Sequence, residues 1–431
     1  MRNSTPAPGP SRRDALRLFG ITGLGLAAAA ACAPSTSGKA GGDRNANGFT
    51  FTAWSLNEAA QKDAVQGIVD KYAAATKVKI RTGSYPYNDF LNQLVLKLRG
   101  GDITGAVQLD HSWLGSIASM GKLVDLSPQA AKGGYTDAAL SGGTYQGKQY
   151  ALPWTTGSIG LVANMDLLAK AGVEKAPETV EEFEAALRAV AKLGGGVVPY
   201  AASTKVAQLK DMIPWIQTFG GKLVDNGAPV LDEDPAVEAL AWYKRLYDAK
   251  LIAPDVDRFD ARALFAQGKA AFYDDAPIAK GIIAKSAQDP KLVDHMQPVT
   301  RPVLKAGDRP HSLLWGHLMV VVDGEGANKA VEFASHTTSD TATAVDFFGR
   351  VALPPSTTAA LADPKVKGDA FNAAWAEKIT KTAGPNPFWQ FTGAAQIDSA
   401  MAQQVQAALV GQAKPKDALR KANETVKPLI K

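Results

Sequence analysis

The 431-residue chain is poor in the side chains that most often carry chemistry, with one cysteine, Cys32, and five histidines. A single thiol excludes an intramolecular disulfide, a cysteine-built zinc cluster and a CxxC redox pair. Neither HExxH nor GxSxG occurs, so zincin and α/β-hydrolase chemistry lack a starting motif. His311 and His317 would share one face of a strand, but no third ligand falls in register, and neither a metal nor a cofactor is expected. No uncharged apolar run reaches the ~20 residues that cross a bilayer as a helix. Charged residues make up 21% and hydrophobic ones 46%, an ordinary globular balance that excludes disorder. No dense Lys/Arg stretch interleaved with aromatics is present, which argues against nucleic acid as a partner. Repeats of ~20 to 50 residues are absent too.

What is present begins at the amino terminus. Ser11-Arg12-Arg13 precedes an uncharged stretch of 12 residues, 20–31, which ends in small residues before Cys32. That is an export signal rather than a span. The arginine pair resembles a twin-arginine signal. Ala29-Ala30-Ala31-Cys32 resembles the lipobox of bacterial lipoproteins, with Ala29 where Leu or Val is more usual, and implies cleavage after residue 31 and lipidation of Cys32. Two acyl chains there would anchor the chain stably, as one would not. The formal charge of +5 owes much to this segment, because removing Arg2, Arg12, Arg13, Arg17 and Asp14 leaves 43 basic and 41 acidic residues. The stretch 32–48, rich in Gly, Ala, Ser and Asn, reads as a tether.

At ~100 to 200 residues per domain the remainder suggests two lobes. Residues 49–54 read as a strand, Val65, Ile68, Val69 and Tyr72 as a helical stripe, and 77–82 as a second strand. Asn88 or Asp89 is expected to cap a helix carrying Leu91, Leu94, Val95 and Leu98, before a third strand at 106–109. This order implies a parallel sheet covered by helices on both faces. Turn-forming residues at 154–157 are expected to join two strand-like runs. Thr179-Val-Glu-Glu182 is a capping box, and Asp234-Pro235 a helix start capped by the carboxylate. Residues 313–322 read as a buried strand, and 392–431 as helix broken at Gly411 and Pro415.

Most motifs suggestive of chemistry fail on inspection. Gly23-Leu-Gly25 has no strand before it and lies in the export segment. The loop 142–149 has phosphate-loop spacing, but Gln149 supplies no hydroxyl for magnesium and Leu152-Pro153 opposes the required helix. Asp274-Asp275 are adjacent and would point apart, a poor acid and nucleophile across a glycosidic bond.

Position singles out other residues. Trp54 and Asp110 stand at the carboxyl ends of expected parallel strands, where open α/β sheets bind ligands. Trp113, Trp154 and Trp389 accompany turns, whereas Trp315 sits inside a strand, where core packing is the more natural role. Asp110 is equally suited to capping the helix that follows it. Tryptophan faces with carboxylates and amides beside them match a sugar's apolar face and hydroxyl edge.

The segments FTAWS (51–55), GGDITGAVQLDHSWLGSIASMGKLVDLS (100–127), GKQYALPW (147–154), LVANMDLLAKAGV (161–173), PETVEEFEAALRAV (177–190), FGGKLVDNGAPVLDEDPAVEAL (219–240) and FAQGKAAFYDD (265–275) follow one another in a familiar order. In that order and spacing the chain from residue 49 onward resembles the extracellular solute-binding proteins of ABC importers, in the group of maltose and other oligosaccharide binders. The resemblance implies an α/β fold of two periplasmic-binding-protein-like lobes joined by crossing strands, with ligand in the cleft between them. It implies a first lobe of 49–155 and 303–353 and a second of 156–302 and 354–431, hinged near 155–157 and 299–304. Carried over by position, the ligand contacts are Trp54, Ser55, Glu58, Asp110, Trp113, Trp154, Thr155, Gly316, His317 and Phe388 or Trp389. Where relatives often carry Gly and Trp, this chain reads Tyr273-Asp-Asp-Ala-Pro277, which suggests Asp275 as a hydroxyl acceptor. The expectation is therefore a monomeric, non-enzymatic, lipid-anchored subunit on the outer face of the cytoplasmic membrane, binding a mono- or oligosaccharide and passing it to membrane permease subunits. The alternatives are a secreted glycan hydrolase and an importer subunit for a non-sugar polar solute.

Overall fold

In the computed structural model, residues 42–430 are described. The export segment, Cys32 and part of the tether lie outside them. Strand β1 (Gly48–Thr52) leads into helix α1 (Lys62–Thr76), whose Val65, Ile68, Val69 and Tyr72 are buried. Strand β2 (Lys79–Gly83), helix α2 (Tyr87–Gly100) and strand β3 (Gly105–Asp110) follow. Both β2 and β3 pair parallel with β1. The α2 start differs from expectation. Its cap position is Pro86 with no side-chain bond, and Asn88 instead reaches Asp257 at 3.4 Å.

The largest departure concerns residues 151–164. Instead of two runs joined by a turn they form one strand, β4 (Ala151–Asn164). Thr155, Thr156 and Gly157 pair in a ladder, so β-branched propensity and cross-strand bonds override the turn composition. Gly157 is there for packing, since a Cβ would lie 3.1 Å from the Pro277 ring. Helix α3 (Val180–Ala191) has the expected capping box, with Thr179 and Glu182 each bonding the other's amide. Strand β5 (Val198–Ala201) precedes helix α4 (Asp234–Asp248). Here Glu233 holds the cap position without a side-chain bond, and Asp234 and Pro235 open the helix itself.

Helix α5 (Arg258–Ala266), strands β6 (Ala270–Asp275) and β7 (Met296–Val299), and the long strand β8 (Ser312–Val322) complete the frame. Helices α6 (Ala327–Ser339), α7 (Ala394–Leu409) and α8 (Pro415–Val426) follow, the last two broken at the expected Gly and Pro. The strand path is β2-β1-β3-β8-β4-β6-β5, with β7 also on β4. β8 enters antiparallel between β3 and β4. Along β4 the partner changes from β8, up to Ile159, to β6 from Gly160 and β7 from Leu161. One strand thus joins two sheet regions. Opposite it the ladder pairs His317 with Thr155 and then Leu318 with Pro153, so Trp154 is the extra residue of a bulge.

Candidate functional site

One wall of the site is aromatic. The turn Trp54–Asn57 leaves β1 and buries Trp54, whose ring meets Tyr87, Phe90, Trp113 and His317 edge-on at 5.6, 5.3, 5.4 and 5.1 Å. Edge contacts set the positive ring rim of one residue against the negative face of another. Asp110 ends β3 and does cap the next turn, accepting from the Ser112 amide at 2.9 Å and its hydroxyl at 2.6 Å. Its other oxygen accepts from the Tyr87 hydroxyl at 2.8 Å and from Trp315 Nε1 at 3.0 Å. Burial, with Asp110 adding to it, keeps the Tyr87 hydroxyl far above its ordinary range and protonated.

Behind the rings runs a chain of amides and hydroxyls. Gln108 donates to Ser55 Oγ at 2.7 Å and to His317 Nδ1 at 3.1 Å, and Ser55 donates to Gln61 at 3.1 Å, which in turn donates to Glu58. A side-chain NH₂ donor at Nδ1 requires an imidazole unprotonated there. Burial agrees, lowering His317 to about 3 and, behind it, His111 to about 4.

The facing wall is charged. Asp257 caps α5 in a reciprocal box with Asp260, and Arg258 and Arg262 follow one turn apart. Arg262 forks onto Asp275 with Nε at 2.9 Å and Nη2 at 2.7 Å. Arg258 pairs with Asp211 and reaches the Asp274 carbonyl at 3.4 Å. Asp274 takes Arg301 at 2.5 Å and the Tyr200 hydroxyl, while Arg301 lies over Trp215, 4.6 Å from the ring centre. The attraction within each pair offsets part of the cost of burying its charges. Burial pushes Asp274 upward, against the pull of Arg301.

Between the walls lies a chamber of about 30 Å³ lined by Trp54, Glu58, Tyr87, Arg262, Trp315 and His317 among others. Glu58, Tyr87 and Arg262 also line a cavity of about 600 Å³, and Tyr87 and Trp113 line one of about 610 Å³ that reaches α7. Both fall in the range of ~300 to 1,000 Å³ usual for small-ligand sites. The walls touch where Tyr87 meets Phe259 at 6.3 Å and where Lys285 Nζ donates to the Ala60 carbonyl at 2.9 Å.

Of the residues expected from sequence, Trp54, Glu58 and His317 line the chamber and Trp113 lines the larger cavity. Ser55, Asp110, Thr155 and Asp275 stand one bond behind: Thr155 Oγ1 accepts from the His317 amide at 3.2 Å, and Asp275 is occupied by Arg262. Gly316 permits close strand approach, since a Cβ there would lie 2.4 Å from the Thr155 carbonyl. Trp154 stacks on Phe347 at 4.9 Å, with His317 at 6.0 Å on another side. Phe388 is fully buried in the core and Trp389 sits edge-on to His111 at 6.0 Å; neither is among the residues lining these three cavities. Sequence reasoning missed Tyr87, Arg258, Phe259 and Arg262 and left Trp315 to the core. Tyr87 follows β2, so the strand-end rule that singled out Trp54 would have found it. Among the described residues no group of three or more His, Cys, Asp or Glu could hold a metal ion.

Residues 67–382 match the family model of bacterial extracellular solute-binding proteins. The chain is 24% identical over 270 residues to the diacetylchitobiose-binding protein DasA of Streptomyces coelicolor, covering 60% of this chain and 62% of that protein. It is 26% identical over 241 residues to the arabinooligosaccharide-binding protein of Bacillus subtilis, covering 54% and 53%. The matches therefore span less than two thirds of these curated relatives. Among solved structures, maltose-bound MalE3 of T. maritima superposes with a TM-score of 0.80 at 21% identity, covering 89% of this chain and 99% of that one. The GacH receptor of Streptomyces glaucescens, solved unliganded and with acarbose, gives 0.79 at 21% identity, covering 89% and 98%. These likenesses identify the α/β fold as that of the two-lobe sugar-binding proteins.

Proposed function

The chain belongs to the bacterial extracellular solute-binding proteins, and from that premise we propose that it is the substrate-binding subunit of an ABC importer, capturing a mono- or oligosaccharide and doing no chemistry on it. The observation that carries this reading is the aromatic wall of Trp54, Tyr87 and Trp113 facing the charged wall of Arg262 and Asp275 across a chamber flanked by two roomy cavities. Flat rings cover the CH faces of a sugar, and carboxylates, amides and guanidinium groups take its hydroxyls. The relatives named for diacetylchitobiose and arabinooligosaccharide, and the neighbours solved with maltose and acarbose, support a carbohydrate as cargo.

The two lobes in this reading are 49–155 with 303–353 and 156–302 with 354–431. The exchange of partners along β4 near residues 159–160 supports a hinge close to 155–157, with the return crossing at 299–304. Ligand touching both walls favours the closed form, and shifting a population from 1:99 to 99:1 takes about 5.5 kcal/mol of differential affinity. Membrane permease subunits then read closure. Cys32, outside the described residues, is the proposed lipid attachment, which holds a monomer on the outer face of the cytoplasmic membrane.

Thermal unfolding of the purified protein with a panel of maltose, maltotriose, diacetylchitobiose, arabinooligosaccharides and acarbose tests the reading. A cognate sugar at 100 times its dissociation constant adds ~2.7 kcal/mol of stability. No shift with any saccharide would sink it.

A further inference from the structure

The carbohydrate reading leaves open which sugars fit, and the chamber's two charged side chains bear on it. A guanidinium carries five N–H donors and no acceptor. Arg262 spends Nε and one Nη2 hydrogen on Asp275, which leaves three. Its side chain is 12% exposed, and it lines both the chamber and the 600 Å³ cavity. Glu58 lines the same two spaces, with one oxygen held by Gln61. Burial raises Glu58, and the positive charge of Arg262 works against that rise. A donor and an acceptor thus share a narrow space whose other walls are the rings of Trp54, Tyr87 and Trp315.

We propose that Arg262, positioned by Asp275, and Glu58 form the specificity pair of this site, selecting an uncharged carbohydrate over acidic and amino sugars; this rests on the reading that the cargo is a carbohydrate. A hydroxyl both donates and accepts, so neighbouring hydroxyls of one ring satisfy Glu58 and Arg262 together. A uronate brings acceptors to guanidinium groups already balanced by Asp275 and Asp211, and its charge opposes Glu58. An ammonium suits Glu58 but faces the like charges of Arg262 and Arg258. Asp275 acts through Arg262: its fork fixes the guanidinium plane, which a lysine ammonium cannot reproduce.

Titration calorimetry of the purified protein with cellotriose and maltotriose, and with their 2-amino and 6-carboxylate counterparts, tests the pair. The neutral trisaccharide that binds is expected to do so at least about 10-fold more tightly than either charged counterpart, the scale of one charged hydrogen bond. Arg262→Lys and Asp275→Asn each weaken neutral binding about 10- to 100-fold, and the double variant loses no more than the worse single one. Glu58→Gln, nearly isosteric, raises the relative affinity for the carboxylate sugar. Unfolding temperatures without ligand identify any variant that fails to fold, and Glu58→Gln keeps the test alive if both Arg262 and Asp275 variants do. Charged sugars binding as tightly as neutral ones, or ratios unchanged in Arg262→Lys and Glu58→Gln, would overturn the pair while leaving carbohydrate binding intact. Binding by none of the sugars, here and in the wider panel, overturns the carbohydrate reading and the pair with it.

Discussion

The two walls of the chamber are built on opposite principles. The wall of Trp54, Tyr87, Phe90 and Trp113 is held by ring contacts, edge-on around Trp54 and stacked between Phe90 and Trp113, and the Tyr87 hydroxyl donates to Asp110. The facing wall of Arg258 and Arg262 is held by buried ion pairs to Asp211 and Asp275, backed by a third between Arg301 and Asp274. Aromatic packing tolerates imperfection in any one contact, because its energy is spread over many weak ones. A buried ion pair does not, because the partner of a deleted charge is left desolvated. The aromatic wall is therefore expected to be the more forgiving, and the charged wall the one that fixes geometry.

The sharpest way to break this comparison is Arg301→Met. Arg301 is fully buried against Asp274, and its loss is expected to cost about 3–5 kcal/mol in denaturant unfolding. A loss under 1 kcal/mol would mean that the charged wall is as forgiving as its neighbour. On the aromatic side Tyr87→Phe keeps every ring contact and removes the hydroxyl that donates to Asp110, which predicts a smaller loss of about 1–3 kcal/mol. A cost equal to that of Arg301→Met would erase the contrast.

The histidine behind the rings sharpens it further through pH. His317 is held near 3 in the folded chain and titrates near 6.5 when unfolded, so acidification loads protons onto the unfolded state first. Stability is full above about pH 6.5 and falls as pH drops towards the folded value, by up to ~1.4 kcal/mol per pH unit for one such group. Stability curves of His317→Asn should be flatter between pH 6 and 4.5 than those of the parent. Matching slopes would remove His317 as a source. Thr179→Ala, at a helix cap that lines none of the three cavities, sets the smallest expected effect, about 1 kcal/mol with sugar affinity unchanged. A changed affinity would mean that the walls are not the seat of binding.

The same contrast explains what could be read from sequence. Trp54, Asp110 and Trp113 were legible because strand ends and turns are local features and tryptophan is rare. The ion pairs were not. Arg262 and Asp275 are separated by 13 residues, Arg301 and Asp274 by 27, Arg258 and Asp211 by 47, and no periodicity marks such partners. Asp275 was noticed, but its role as the holder of Arg262 depends on a helix and a strand meeting in three dimensions. Strand β4 was misread at residues 154–157 because its order comes from the β8 ladder, a long-range contact that overrides local turn composition.

Hydrogen exchange of the purified protein, with and without the sugar that gives the largest thermal shift, tests most directly whether ligand is held between the two walls. Slowed exchange is expected in the turn after β1 and the start of α2 on one side, and in α5 on the other, together with β8 around His317. Protection confined to one wall, or none in either, would contradict it.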